Sequence, residues 1–339
     1  MTTPLTRRRF LLGAAAAAAA TAAGAAASLG LWRCVRRPPP LLAKRAHACG
    51  TDVVLLIDAA DPGAARSAAR RALAEIFGVH QMMTRFEPSP LSCVNELAAV
   101  ESVPVPAPLF SLLERSAALN RRTAGLFDVT VGNLVDAIGG RHPLAPGRAG
   151  ERQLALLSEA VGPQHLRLDR ATLGVRLGHP LTALDLGGIA KGHAIDAAAA
   201  AVRGAGVTSF LINAGGEVYA GGCAPDSDRG WRVELPEPAR RAGLDALWLR
   251  DQALATSGNY LQAEQRADPG FAHLVDPRRG AATDRLLCAC ATAASALEAD
   301  AWSTAAFVGG RELASRVERT NRVALVVVDR RGQADELWI

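Results

Sequence analysis

The sequence predicts an α+β fold of mixed, largely antiparallel sheets with packed helices, and three observations lead there. Segments of strand period and of helix period follow one another without the regular alternation that a doubly wound parallel sheet requires. Strand candidates meet across glycine turns, as at Asn213-Ala214-Gly215-Gly216-Glu217, and a tight turn returns the chain antiparallel. After Arg36-Arg37-Pro38-Pro39-Pro40, a stiff extended linker, neither a second linker nor an internal repeat interrupts the chain. About 295 residues then form one large domain or two intimate lobes.

In chain order, residues 47–58 read as a strand. Residues 64–77 form an Ala/Arg-rich helix with apolar residues at helical spacing. Pro88 and Pro90 break the chain, and a helix over 108–123 opens on Pro108, a good first-turn residue. A loop over 141–150, a short helix over 151–161 and a hairpin of short strands over 166–177 come next. The helix over 189–204 leads to strands at 209–213 and 217–221. Further strands are expected at 231–235, 247–254, 273–275 and 286–291, helices at 297–308 and 311–319, and a last strand at 323–329.

Residues 1–32 are set aside as an export signal. Thr6-Arg7-Arg8-Arg9-Phe10-Leu11 has the form of a twin-arginine start, and an Ala-rich apolar run follows directly. The small residues Ala25-Ala26-Ala27 suit cleavage, while a run of about 20 apolar residues would also serve as a retained membrane tether. Leu31-Trp32-Arg33-Cys34 is a poor lipid-attachment sequence, because tryptophan and arginine stand where small residues belong. The expected location is the periplasm or the outer face of the cytoplasmic membrane. A basic Pro-rich linker over 33–46 and a body over 47–339 complete the organisation.

The formal net charge of +5 belongs to this leader and linker. Residues 1–45 hold 8 of the 38 basic residues and no acid, which leaves 30 basic against 33 acidic groups in the rest. A body near −3, without a basic stripe of interleaved aromatics, lacks the electrostatic footprint of a nucleic-acid binder. Cys34, Cys49, Cys93, Cys223, Cys288 and Cys290 show no metal-ligand spacing. They read as small buried hydrophobes, with pairing left open in an oxidising compartment.

Five segments combine small, acidic and hydroxyl residues between apolar flanks. They are Cys49-Gly50-Thr51, the run from Gly125 to Gly132 with Leu126, Phe127 and Asp128, the run from Leu184 to Asp196, Asn213-Ala214-Gly215-Gly216-Glu217, and Ala255-Thr256-Ser257-Gly258-Asn259-Tyr260 followed by the run from His273 to Gly280. The third is the richest: Gly187-Gly188 precedes a helix start, whose unpaired N–H groups and positive dipole end suit a phosphate that glycine lets come close. Lys191 follows at once, in a chain with 36 arginines and two lysines. It reads either as a compact point charge for a polyanion or as an ordinary solvated helix residue. The Gly215-Gly216 turn reads equally as a plain hairpin or a ligand contact. Asp300 and Thr304 stand four apart on one helix face, and two hard oxygens pointing together suit magnesium.

Together these segments resemble the ApbE family of flavin transferases, which split FAD and attach its FMN half to a threonine or serine of another protein. The resemblance runs from about residue 47 to 329. It is carried by the Asp185 to Asp196 run, Thr256-Ser257-Gly258, His273-Leu274-Val275-Asp276-Pro277-Arg278-Arg279-Gly280 and Ala299-Asp300-Ala301-Trp302-Ser303-Thr304. It implies an ApbE-like, T-fold-like body. It also implies that Asp128, Asp185 and Lys191 contact FAD, with Cys49, Phe86, Leu126, Phe127 and Leu274 lining the flavin or its ribityl chain. Gly188 through its backbone, Asp300 and Thr304, with Ser303 adjacent, match metal positions for Mg²⁺, and His273 matches a general base. FAD is then the substrate and an exported or membrane-associated flavoprotein with a Thr or Ser site the acceptor. Two departures are visible: Cys49 stands where methionine is usual, and the segment around Phe86 is about one residue short. An FAD pyrophosphatase and a non-catalytic envelope FAD-binding protein are the alternatives.

Overall fold

The computed structural model describes residues 41–139, 141–142, 144–258, 274–313 and 322–338. The chain enters as a hairpin of β1 (Leu42–Ala48) and β2 (Thr51–Asp58), with Cys49 and Gly50 as its two-residue turn at φ 52° and 68°. Positive φ at both positions matches the twist of the flanking strands. A stretch expected to run as one strand therefore folds back on itself, and β1 starts inside the expected linker. Lys44 lies exposed on β1, so Lys191 is not the only lysine of the folded body.

Helix α1 (Pro62–Met83) is longer than the 64–77 expected, because Asp61 caps it by accepting from the N–H groups of Gly63 (2.8 Å) and Ala64 (3.0 Å). Helix α2 (Pro90–Leu97) stands where the prolines were read only as a break. Ser89 and Ser92 close a reciprocal capping box, and Pro90 takes the first helical position. The chain continues through β3 (Val103–Pro104), α3 (Ala107–Arg122), α4 (Gly132–Ile138), α5 (Arg148–Glu159), β4 (Leu166–Asp169) and β5 (Gly174–Leu177). Strands β4 and β5 form the expected hairpin, and β3 adds to its edge.

Helix α6 (Ala190–Gly204) leads into β6 (Ser209–Ala214) and β7 (Glu217–Gly221), then β8 (Trp231–Glu234), α7 (Glu237–Arg241), β9 (Ala246–Leu249) and β10 (Gln252–Ser257). The single strand expected over 247–254 is two strands: Asp251, at φ 51°, turns the chain from β9, paired with β8, to β10 in the main sheet. The rest comprises β11 (Val275–Asp276), β12 (Ala281–Ala282), β13 (Leu286–Ala293), α8 (Ala296–Gly309), β14 (Ala324–Asp329) and the unexpected β15 (Ala334–Trp338). Most of the helix expected at 311–319 lies outside the described residues.

The main sheet has the order β1-β2-β6-β7-β10-β13-β14-β15, and each neighbouring pair is antiparallel. The α+β expectation holds. One face is covered by α1, α6 and α8. Ala65, Ala68, Ala69, Ala72 and Ile76 line the buried side of α1, while Ala194, Ile195, Ala198, Ala199 and Val202 line that of α6, so the helices pack side by side. The other face buries Leu211, Val218, Leu254 and Val328 beneath β8 and β9, and Cys288 and Cys290 lie there unbonded. Covering both faces removes apolar area from water at about 25 cal/mol per Å², the main favourable contribution to the fold. Among the described residues no helix is long and apolar enough to cross a membrane; residues 1–32 lie outside them.

Candidate active site

One end of the main sheet gathers the turns on which the site is built. Gly215 and Gly216 form a two-residue turn between Ala214 and Glu217, at φ 71° and 112°, so the hairpin reading of this motif is correct. The turn lies against the β1–β2 turn: a Cβ on Gly215 would stand 2.5 Å from Thr51 Oγ1. Glu217, first residue of β7, is thereby delivered buried to the start of α6.

The entry to α6 is fixed by backbone pairing. Asn95 of α2 clamps Leu184, donating from Nδ2 to its carbonyl (3.0 Å) and accepting its N–H at Oδ1 (2.7 Å). Asp185 N–H donates to the Val129 carbonyl (2.8 Å), and Asp185 Oδ1 accepts from Gly187 N–H (2.6 Å). The chain then turns into the helix, and Lys191 Nζ reaches back to donate to the Gly187 carbonyl at 3.0 Å. Nζ also lies 3.7 Å from Glu217 Oε1 and 3.8 Å from Asp300 Oδ1. Burial pushes the Lys191 ammonium down, but Asp300, Glu217, Cys49 and Asp185 together outweigh it, so its pKa is raised and it stays charged. The solvated-helix reading of Lys191 therefore gives way to a half-buried charge between two buried carboxylates.

Asp300 comes from α8, which packs against the first turn of α6. A Cβ on Gly192 would stand 2.6 Å from the Ala296 carbonyl carbon and 2.7 Å from Leu297 Cα, so only glycine fits. Gly192 N–H donates to Asp300 Oδ2 (2.9 Å). Burial pushes the Asp300 carboxyl up, opposed by Lys191 and this N–H. Asp196, the last acid of the Asp185 to Asp196 run, accepts from Ala296 N–H (2.7 Å) and Leu297 N–H (3.1 Å) and so caps α8. It is a part of the frame that aims Asp300.

One turn beyond Asp300 is a cluster of hydroxyls. Ser257, at the end of β10, lies 2.8 Å from Ser303 Oγ and 3.4 Å from Thr304 Oγ1, and Ser303 donates to the Asp300 carbonyl (2.9 Å). A Cβ on Gly188 would stand 3.0 Å from Thr304 Oγ1 and 3.4 Å from the Phe127 ring, so glycine brings the turn's backbone against the hydroxyls. Of the expected metal set, Ser303 and Thr304 share the hydroxyl cluster with Ser257, and Gly188 lies against Thr304, while the carboxylate of Asp300, one turn earlier on α8, faces Gly192 N–H and Lys191. Among the described residues no three His, Cys, Asp or Glu side chains converge. What the site offers is one carboxylate with several hard oxygens, and this fits an ion that keeps waters and shares its shell with phosphates, as magnesium does.

The profile of the ApbE family matches residues 49–327. The chain belongs to the ApbE family. Its relatives include an FAD:protein FMN transferase of Rhodobacter capsulatus, 31% identical over 287 residues. That alignment covers 83% of this chain and 54% of the relative, so the chain spans about half of that relative's length. FAD:protein FMN transferases of Vibrio cholerae and Escherichia coli K12 are 27% and 26% identical, covering 73% and 74% of this chain and 75% and 73% of theirs. Solved structures share the fold. The apo flavinyl transferase ApbE of Pseudomonas stutzeri superposes with a TM-score of 0.76 at 23% identity, over 88% of this chain and 94% of that one. An ApbE protein of Thermotoga maritima gives 0.75 at 23%, over 88% and 97%.

The other expected residues of this ApbE-family chain take several places. Phe127 is buried beside Gly188, whereas Leu126 packs into the core against Gly309. Asp128 is buried and heavily engaged, accepting from Thr130 N–H (2.8 Å), Thr130 Oγ1 (2.6 Å) and Asn120 Nδ2 (3.0 Å), while burial pushes its carboxyl up. Asp185 keeps one oxygen toward Gly187 and the other 3.0 Å from Arg85 Nε. Cys49 is half-buried in its turn; burial pushes its thiol up and Lys191 pulls it down. Phe86 is 60% exposed between the guanidinium groups of Arg85 (5.1 Å) and Arg141 (4.0 Å). Leu274 is half-buried against the core, and its carbonyl accepts from Thr283 N–H (2.9 Å). His273 lies outside the described residues. Sequence reasoning missed Glu217 as a partner of Lys191; its one signal was its place directly after a double-glycine turn.

Proposed function

We propose that this chain is an FAD:protein FMN transferase, cutting FAD to AMP and attaching FMN through a phosphoester to a threonine or serine of an acceptor flavoprotein. The observation that carries the reading is Lys191, a cation held among buried carboxylates at a Gly-Gly helix entry beside the hydroxyl cluster. Membership of the ApbE family and the names of its relatives support it.

A diphosphate ester resists attack because its oxygens are negative, so the site must supply positive charge and positioning. Asp300, Thr304 and Ser257 through side-chain oxygens, with the backbone of Gly188, are the residues that would hold Mg²⁺. Bound there, the ion supplies charge neutralisation on the diphosphate. Lys191 adds a fixed positive charge, and the Gly187-Gly188 turn admits phosphate oxygens to its backbone. Phe86 offers aromatic surface for the isoalloxazine, and the buried Phe127 backs the Gly188 turn from within. In this reading His273 takes the proton of the acceptor hydroxyl. The hydroxyl oxygen bonds to the FMN phosphorus as the bond from that phosphorus to the AMP oxygen breaks, and AMP leaves with the electron pair. Read as an export signal, residues 1–32 support a reaction outside the cytoplasm, on an exported or membrane-associated acceptor.

The test incubates the purified chain with FAD, Mg²⁺ and an exported flavoprotein domain carrying a candidate threonine. The expected result is a fluorescent flavin band that survives denaturing electrophoresis, with one AMP per flavin attached, and neither when that threonine is replaced by valine. FMN released free into solution would instead identify a pyrophosphatase. FAD bound and unchanged after long incubation would identify a carrier.

A further inference from the structure

We infer that Arg85 is a positioning residue for this site: by bridging the carboxylates of Asp136 and Asp185 it sets the Gly187-Gly188 turn and hence Lys191. The inference rests on the transferase reading for its functional meaning, but its geometry stands apart from it. Arg85 follows α1, and its guanidinium is about nine-tenths buried. Nη2 donates to Asp136 Oδ1 at 2.6 Å and Nη1 to Asp136 Oδ2 at 3.1 Å, a two-pronged pair that leaves the guanidinium plane little freedom. Nη1 also lies 3.3 Å from the Gly132 carbonyl at the start of α4. The remaining edge brings Nε within 3.0 Å of Asp185 Oδ2, an ion pair in which the N–H is not aimed at the oxygen, so the link is one of charge and, among the described residues, Nε makes no hydrogen bond.

Asp185 is the link onward. Its other oxygen accepts from Gly187 N–H at 2.6 Å, and the Gly187 carbonyl accepts from Lys191 Nζ at 3.0 Å. A continuous chain of short contacts therefore runs from α4 through Arg85 and Asp185 to the ammonium group. Each contact biases the next: the fork on Asp136 orients Arg85, the charge of Arg85 attracts one oxygen of Asp185, and the second oxygen is then turned to Gly187 N–H. Without Arg85, Asp136 keeps the exposed Arg141 (3.4 Å) and His142 (3.7 Å) beside it, whereas Asp185 loses the cation against its outer oxygen, and the cheapest relief is for the half-buried Asp185 to swing outward. That movement releases Gly187 N–H and the carbonyl that restrains Lys191. Nothing in this chain of contacts requires Arg85 to touch substrate. Its side chain also forms the floor beneath Phe86, 5.1 Å from the ring centroid, so the same residue ties the aromatic surface to the turn.

The test compares the full chain with Arg85→Lys, Arg85→Met and Asp136→Asn. FAD affinity is read by quenching of flavin fluorescence without Mg²⁺, transfer by KM and kcat, and folding by thermal unfolding. Loss of a residue that orients a binding group costs about 10–100-fold. Arg85→Met should weaken FAD binding within that range. Arg85→Lys, which keeps the charge but not the fork, and Asp136→Asn, which keeps the shape but loosens the fork, should each lose less, with KM for FAD rising more than kcat falls. Arg85→Met combined with Asp185→Asn should bind FAD no more weakly than Asp185→Asn alone, because the two act through one contact. Variants that unfold at lower temperature yet bind FAD as the parent chain does would overturn the inference and leave Arg85 a stability residue. Normal FAD affinities across this set with no transfer by the parent chain would overturn both readings. An affinity loss across the set with no transfer by the parent would leave the positioning role standing and the transferase reading overturned.

Discussion

The floor of the site and its rim are built on different terms. At the floor, α6 and α8 approach so closely that position 192 admits no Cβ, and Asp300, Asp196 and Lys191 are aimed by backbone N–H groups and a carbonyl. At the rim, Phe86 stands 60% exposed, held only by two guanidinium groups, one of them on the half-exposed Arg141. The floor thus couples stability to chemistry, because the contacts that hold the helices together also place the charges. The rim separates them. A substitution at the floor should change folding and binding together, and one at the rim should change binding alone.

The sharpest way to break that contrast is Gly192→Ala. The new methyl group would meet the backbone of Ala296 and Leu297, which cannot rotate away, so α8 must shift. Overpacking of this kind costs about 3 kcal/mol. Urea unfolding should show the loss as a lower midpoint with an unchanged slope, and FAD affinity should fall with it because Asp300 moves. Wild-type affinity in a destabilised Gly192→Ala protein would show that the floor does not couple the two.

Lys191→Ala comes next. Removing the ammonium leaves Asp300 and Glu217 buried beside one another, and breaking a buried pair on one side costs about 3 kcal/mol. Lys191 thus bears on the fold as well as on binding. Lys191→Ala/Glu217→Gln should recover part of the stability and none of the FAD binding. The sign with pH is definite. The folded pKa of Lys191 lies above its unfolded value of about 10.4. Its contribution is therefore fully present below about pH 10 and is lost as pH rises through the folded value.

The same contrast explains what could be read in advance. Gly187-Gly188, Lys191, Asp300 and Thr304 were legible because each is local: a turn before a helix, and two oxygens four residues apart. Glu217 and Arg85 were not, because what makes them important is a partner reached through tertiary structure, 3.7 Å from Lys191 in one case and 3.0 Å from Asp185 in the other. The role of Asp196 was hidden for the same reason, since the N–H groups it caps lie about a hundred residues further along the chain. The β1–β2 hairpin escaped because its turn is Cys49-Gly50 and not the Asn-Gly or Asp-Gly that signals positive φ twice in succession. Helix α2 escaped because Pro90 was weighed as a breaker and not as a first-turn residue supported by Ser89.

At the rim, Phe86→Ala should leave thermal stability within about 0.5 kcal/mol of wild type, as for exposed positions away from caps and cores. Loss of an aromatic stacking surface is worth about 1 kcal/mol, or roughly fivefold in FAD affinity. Phe127→Ala gives the matched measurement inside, where the same ring is buried against Gly188. It should lose about 3 kcal/mol of stability as well as affinity. Equal stability losses in the two variants would erase the distinction between rim and floor.

The smallest expected effect lies on α6 next to Gly192. Among the described residues the buried Nδ1 of His193 meets no hydrogen-bond partner, and burial, followed by the charge of Arg115, pushes its pKa down. Between that lowered value and the unfolded value of about 6.5, the unfolded chain binds a proton that the folded chain refuses. Stability must then fall as pH drops below about 6.5, and level off once the folded imidazole is protonated too. Asp128, Asp196 and Asp300 titrate with the opposite sign, because burial raises their carboxyls and acidification relieves part of that cost. The raw pH profile mixes these contributions, so the useful quantity is the difference between wild type and His193→Gln, unfolded by urea at pH 7.5, 6.5 and 5.5. The variant should lose less stability than wild type over that interval, while FAD affinity at pH 7.5 stays the same. A parallel pair of profiles would place the acid sensitivity of the floor elsewhere than in His193.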